Sequence, residues 1–309
     1  MDRRQFLRAA SCAGFASLAI HTKASSFEVS GEAQNGIIWR ADSKKGNVFL
    51  TPTVHKLPRH LKVPHQISIA LQQSDVIFIE ANTDDKALPE DKSSLIYVDT
   101  NDSVFENLSP ATTQLLKLKL ATINIPIEKI IRLKPWVISS ILEERELADS
   151  GFESLTSVEQ LFKEIEKGSG KKVIYLETIS QQLRLFDSLP DHIQDAMLQN
   201  YLLQKMSSKD TQKVVIRIAQ AWEQGNITCV QTQMKKIDVI PANVEETVNR
   251  VMLANRNLAF FKQVNEHFDL IPTNFATLAV GFNYYLGDQG LLRLFQDSGY
   301  KITSLRISK

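Results

Sequence analysis

Apolar runs of strand length alternate along this chain with longer segments in which apolar residues recur at helical spacing, a pattern that predicts an α/β fold. Gly36 to Ala41 and Asn47 to Thr51 flank a Lys44-Lys45-Gly46 turn and read as a hairpin. Three later runs, Val76 to Ile79, Val173 to Leu176 and Phe275 to Val280, are apolar on consecutive residues, as strands covered on both faces are. A last strand is expected at Lys301 to Leu305. Helical patterns cover Pro64 to Gln73, a block from Pro110 to about Ala148, and a block from Val158 to Phe268 broken by the strand at 173–176. The polar stretch from about 85 to 108 reads as loop plus one short strand. The expected architecture is a central mixed, mostly parallel sheet with an N-terminal hairpin and a large helical insertion, its second block forming a lid over the sheet edge.

The first residues follow a different logic. Arg3-Arg4-Gln5-Phe6-Leu7-Arg8 sets a twin arginine and an aromatic-apolar pair before a weakly hydrophobic stretch, Ala9 to Ile20. About a dozen apolar residues are too few to span a bilayer, so residues 1–26 read as a removed signal peptide of the twin-arginine type and 27–309 as the working domain. Export implies a periplasmic or secreted protein with no retained membrane span. The alternative is an ordinary amphipathic helix with a basic start.

Composition narrows the partners. Export would remove four basic residues (Arg3, Arg4, Arg8, Lys23) and one acid (Asp2), turning a net charge of +1 into −2. Nucleic acid is therefore an unexpected partner. Of the two cysteines, Cys12 lies in the signal, so Cys229 cannot close an intrachain disulfide. Stability must come from the core, which a chain with 43% hydrophobic residues can supply.

In a parallel sheet, ligands collect outside the carboxyl ends of the strands. Here the run ending at Thr51 leads to His55, Val76 to Ile79 leads to Glu80, Val173 to Leu176 leads to Glu177, and Phe275 to Val280 leads to Gly281 and Tyr284. One imidazole and two carboxylates could converge on one rim, a ligand set for a hydrolytic divalent metal. Alternatively each acid merely favours the start of the next helix, as Glu177 could do before Thr178. Arg256 projects from an apolar stripe, with Met252 and Phe260 one turn to either side. Such a guanidinium either finds a carboxylate or snorkels to solvent. His55, His60 and His65 recur every five residues, but Pro58 and Pro64 interrupt any helix that would align them. His192 and His267 read as surface or satisfied histidines, Lys134-Pro135-Trp136 as packing, and the charged run Lys163 to Lys172 as a solvated helix end.

Taken in order, Ile38-Trp39-Arg40, Pro52-Thr53-Val54-His55 with Leu57-Pro58, Ser74 to Glu80, Leu133 to Trp136, Leu176-Glu177-Thr178 with Gln182, Arg256-Asn257, Val280-Gly281, Gly287, Gly290-Leu291-Leu292 and Gly299-Tyr300 resemble the TraB/GumN family, related to the Tiki metalloproteases. The resemblance implies a metal and hydrolytic site built from two Gly-x-x-His motifs and strand-end glutamates. It also implies that Arg256 lies near that site with Glu177 or Glu80 as partner, and that Glu159 corresponds to an acid near a helix start. Both motifs depart from the pattern. The first, Pro52 to His55, keeps the imidazole but loses the glycine, and proline removes an N–H and fixes φ. The second, Gly281 to Tyr284, keeps the glycine but has a phenol, a poor neutral-pH ligand, for the imidazole.

Two functions follow. One is metal-dependent hydrolysis of a peptide, amide or ester, with His55, Glu177 and Tyr284 at a divalent metal, Glu80 as ligand or general base, and Arg256 orienting a carboxylate or oxyanion. The other is a non-catalytic module of the same fold holding a metal, a haem-like ligand, a small molecule or a peptide, which the pair Pro52 and Tyr284 favours.

Overall fold

The computed structural model describes residues 37–54, 61–82, 92–99, 102–149, 162, 164–165, 167–168, 170–205, 208–234 and 241–305. The proposed signal, His55, His60 and Glu159 lie outside these residues.

Among the described residues, six strands form one sheet. In chain order the strands are β1 (Ile38–Asp42), β2 (Asn47–Thr53), β3 (Val76–Ala81), β4 (Lys172–Glu177), β5 (Phe275–Gly281) and β6 (Lys301–Leu305), arranged in space as β4-β3-β5-β2-β1-β6. Strands β2, β5, β3 and β4 pair in parallel, and β1 runs antiparallel between β2 and β6. The expected hairpin is therefore the antiparallel corner of a mostly parallel sheet. Its turn packs tightly, since a Cβ on Gly46 would collide with the Phe268 ring. Val76 to Ile79 and Ala276 to Val280 are buried throughout, which explains their unbroken apolar sequence.

Between the strands lie α1 (His65–Gln73), α2 (Lys92–Ile96), α3 (Pro110–Thr122), α4 (Pro135–Asp149), α5 (Ile179–Asp187), α6 (Asp191–Lys205), α7 (Ser208–Glu223), α8 (Ile227–Met234), α9 (Ala242–Asn249), α10 (Asn255–Leu270) and α11 (Leu291–Asp297). Their starts follow local chemistry. Ser109 accepts from the Thr112 N–H ahead of Pro110 in α3. Thr178 and Gln181 form a reciprocal capping box that starts α5 immediately after β4. Helix α6 packs on both α3 and α4, joining the two halves of the helical insertion. Trp136 stacks on Phe186 at 5.5 Å while Lys134 pairs with Asp187, so that segment is packing, as expected.

Two expectations are corrected. The polar stretch before 108 contains the helix α2 where a short strand was expected, and its only extended feature among the described residues is a single bridge between Tyr97 and Leu133. Lys171, expected on a solvated run, donates to the Leu71 and Ser74 carbonyls at 3.0 and 2.9 Å and so caps the end of α1. Among the described residues, no helix is long and apolar enough to cross a membrane.

Candidate functional site

Three parallel strands deliver polar side chains to one rim. Glu80 is the penultimate residue of β3, Glu177 ends β4, and β5 ends at Gly281, where the chain enters a 3-10 turn, Phe282–Tyr285. That turn is anchored by its last residue. The Tyr285 hydroxyl donates to the Leu278 carbonyl at 2.6 Å, and its ring lies 5.9 Å from that of Trp39. With Tyr285 held, the preceding Tyr284 is buried against Phe260, their rings 5.6 Å apart.

The fourth group arrives on a helix. Residues 242–270 form one helical run interrupted by a π turn, Arg250–Ala254, where the Asn255 N–H reaches back to the Arg250 carbonyl. Arg256 follows directly and is only 6% exposed. Of its donors, Nε reaches Glu177 Oε2 at 3.1 Å, Nη1 the Met252 carbonyl at 3.1 Å, and Nη2 both Glu80 Oε1 at 2.6 Å and Glu177 Oε1. The two contacts to Glu177 make the bidentate fork that a planar guanidinium offers a carboxylate. The guanidinium carbon also lies 4.8 Å from the Tyr284 ring centre, within cation–π range.

Gln182, on α5, completes the cluster. Its Nε2 donates to Glu80 Oε1 at 3.0 Å and Glu177 Oε1 at 2.7 Å, while the Tyr284 hydroxyl donates to Glu80 Oε1 at 3.0 Å. Three donors thus converge on one oxygen of Glu80. The other, Oε2, is buried with no hydrogen-bond partner among the described residues.

The electrostatics follow from burial. Loss of solvent is the largest influence on Glu177 and raises its pKa, Arg256 works against this, and the charge of Glu80 adds to it. Burial opposes the charge on Arg256, but Tyr284, Glu80 and Glu177 outweigh it and hold the guanidinium protonated. Burial holds the Tyr284 phenol well above its ordinary value despite Arg256. Tyr284 is therefore a neutral hydrogen-bond donor.

Glu80, Glu177, Tyr284 and Arg256 come together as the strand ends and the Met252-Arg256-Phe260 stripe predicted. The arginine bridges both acids instead of choosing one. His65 and His192 lie exposed on the starts of α1 and α6, away from this cluster's hydrogen bonds. His267 is buried edge-on to Phe78 and near Thr273, and burial, then the charge of Lys172, lowers its pKa. A divalent ion fits the described donors poorly. Both oxygens of Glu177 are engaged by Arg256, Tyr284 is held as a neutral phenol, and one buried oxygen without a donor, Glu80 Oε2, remains, against the three protein ligands of an open catalytic site. Among the described residues, no cluster of three histidine, cysteine or acidic side chains could hold a metal ion.

Sequence reasoning assigned no role to Gln182, which entered it only among the residues of the family resemblance, beside Leu176-Glu177-Thr178. It also missed Trp222. That indole, at the end of α7, donates to the Pro52 carbonyl at 3.0 Å and fixes the helical block to the end of β2.

The model of the TraB/PrgY/gumN family matches residues 37–304, which includes β1 to β5, all of β6 but Leu305, and all five members of the cluster. No curated protein and no solved structure matches the chain.

Proposed function

The chain belongs to the TraB/PrgY/gumN family, and from that premise we propose that it is a binding module of the family fold, holding a peptide or small-molecule ligand at the strand-end rim without turning it over. The observation that carries this reading is the closure of the acid pair by Arg256. A carboxylate acts as a base or metal ligand through free lone pairs. Glu177 is forked by the guanidinium and Glu80 is held through Oε1 by three donors, which leaves Glu80 Oε2 as the one oxygen of the pair without a donor among the described residues. Tyr284, where the resemblance implies an imidazole, adds a donor in place of a ligand. The result is a rigid, pre-paired polar floor, suited to recognition more than to proton traffic.

We take its place of action to be outside the cytoplasm, on the twin-arginine layout of residues 3–8. A second reading, metal-dependent hydrolysis with His55 completing the ligand set, is favoured by one specific feature, the unpartnered Glu80 Oε2.

The deciding experiment incubates purified protein comprising residues 27–309 with a mixed-sequence peptide library, with and without manganese, cobalt or zinc. Mass spectrometry then reads cleavage, and ultrafiltration reads retention. The binding reading expects retained peptides and no metal-dependent cleavage. Cleavage that requires a divalent ion and disappears in Glu80→Gln would establish the hydrolase instead.

A further inference from the structure

Among the described residues, Arg256 is the one cation paired with the two acids of the rim, Glu80 and Glu177. Tyr284 and Gln182 contribute donors but no charge. A buried acid that no cation or donor fully satisfies is costly. The imbalance has an address. Glu80 Oε1 is shared by Arg256, Tyr284 and Gln182, whereas Glu80 Oε2 is buried and unpartnered, although Glu80 itself is only 5% exposed. Such an orphan carboxylate oxygen calls for a donor.

We infer that the ligand presents a primary ammonium group to Glu80 Oε2, as the second cation of the Glu80–Arg256–Glu177 cluster. This rests on the binding reading above and adds the chemistry of the recognised group. One open oxygen suits a monocation that brings its own N–H donors, since a charge-assisted N–H to carboxylate bond needs a single acceptor. A divalent ion would need several more open oxygens or nitrogens. A second guanidinium would need a planar, two-pronged acceptor; the Glu177 edge is already forked by Arg256, and on Glu80 one of the two oxygens, Oε1, is already shared by three donors. Because Oε2 is sealed from solvent, the entering group must shed water, and the compact end of an unbranched amine is the smallest group that brings both charge and N–H donors. Peptide N-termini, lysine side chains and small alkylamines share this chemistry.

The test uses the protein of residues 27–309 and calorimetric titration at neutral pH. The probes are n-butylammonium, n-butyltrimethylammonium, trialanine, N-acetyl-trialanine, and N-acetyl-lysine amide. The expected result is saturable binding of n-butylammonium at one site and at least tenfold weaker binding of the trimethyl analogue, which keeps the charge but has no N–H. Binding of trialanine but not its acetylated form identifies an N-terminus as the source, and binding of N-acetyl-lysine amide identifies a side chain. Glu80→Gln should weaken the ammonium probe at least tenfold. The trimethyl comparison decides the matter on wild-type protein should that variant not fold. Equal binding of trialanine and its acetylated form, with no butylammonium binding, overturns the inference and leaves the binding reading intact. If none of these probes binds and the peptide library is not retained either, both fall. Manganese binding that is lost in Glu80→Gln, without butylammonium binding, also overturns it and assigns Oε2 to a metal.

Discussion

The indole N–H of Trp222 donates to the carbonyl oxygen of Pro52 at 3.0 Å, joining the end of helix α7 to strand β2 across 170 positions of sequence. Pro52 has no N–H of its own to give, and its N-terminal neighbour Thr51 pairs with Ala279 in the parallel ladder. The proline carbonyl is thus the one main-chain hydrogen-bonding group of this residue, and the helical block secures it. Trp222→Phe keeps most of the buried ring but leaves that carbonyl without its donor. The expected loss is about 1–3 kcal/mol of unfolding free energy, the cost of an unsatisfied buried acceptor. Urea denaturation of wild type and variant measures it, and a change within ±0.3 kcal/mol, on the order of a surface substitution, would mean that water or another group replaces the indole.

Arg256 is the keystone of the cluster, and its removal should be felt as buried charge. Arg256→Met preserves the apolar stem but leaves Glu80 and Glu177 facing each other without their guanidinium. A loss of about 3–5 kcal/mol is expected, as for breaking a buried ion pair from one side. Arg256→Met combined with Glu177→Gln should recover part of it, because one of the two uncompensated charges is gone. A double-mutant cycle by urea denaturation gives the coupling. Strictly additive losses would show that the two side chains contribute independently.

How far this site could be read without coordinates depended on locality. The strands were legible because Val76 to Ile79 and Phe275 to Val280 are apolar on consecutive residues, a pattern only a doubly covered strand requires. Arg256 was legible because a guanidinium between Met252 and Phe260 on one helical face must find an acid or leave the stripe. Its bridging of both acids was not. Register pairs Glu177 with Ala81 rather than with Glu80, so the two acids stand one residue out of step, and only the geometry of the strand ends lets one side chain reach both. Trp222 and Lys171 were illegible for a different reason: each satisfies carbonyls remote in sequence, and no local pattern marks a carbonyl that lacks a partner. The π turn at Arg250–Ala254 likewise leaves the apolar spacing of its helix unbroken. The helix Lys92–Ile96 was missed because five residues are too few to show a period.

The raised pKa of Glu177 makes stability depend on pH with a definite sign. Burial, its largest cause, holds the folded carboxyl above the ordinary value of 4.5, against Arg256, so the folded state binds this proton more tightly than the unfolded chain does. The resulting stabilisation is fully present below about pH 4.5, the reference value, and is lost as pH rises through the folded value. Glu177→Gln cannot titrate. The unfolding free energy of the variant minus that of the wild type should therefore increase as pH is raised above 4.5, whatever the offset caused by the lost ion pair. Urea denaturation at closely spaced pH values checks this. A difference that falls over the same interval would mean that Arg256, and not burial, dominates the carboxyl.

Export is a separate matter from the fold, and it is testable on the first residues alone. Arg3→Lys with Arg4→Lys preserves every charge but removes the arginine pair. Mature protein should then fail to accumulate outside the cytoplasm, as fractionation of expressing cells would reveal. Undiminished export would point to the general secretory route, for which basic charge suffices.

The last prediction asks whether the rim can be turned into a metal site by restoring what the two motifs have lost. Tyr284→His supplies a neutral imidazole at the position whose hydroxyl now donates to Glu80 Oε1, and Pro52→Gly returns backbone freedom one residue before the end of β2, three positions ahead of His55. The wild-type cluster offers a divalent ion the lone Glu80 Oε2 among the described residues, so its affinity should be negligible. The double variant adds a nitrogen ligand and, by removing the phenol, relieves Glu80 Oε1 of one of its three donors. Binding of manganese, cobalt or zinc should therefore rise at least tenfold, about 1.4 kcal/mol, by calorimetric titration. Because an imidazole binds metal only when neutral, the gain should fade as pH drops through about 6.5, the reference histidine value. The Trp222 contact provides the control for folding, since it uses the carbonyl of residue 52, which glycine retains. A double variant that stays as stable as wild type yet binds no metal would point to the donors that remain on both carboxylates, Arg256 first among them. The triple variant with Arg256→Met would then be the one to gain affinity.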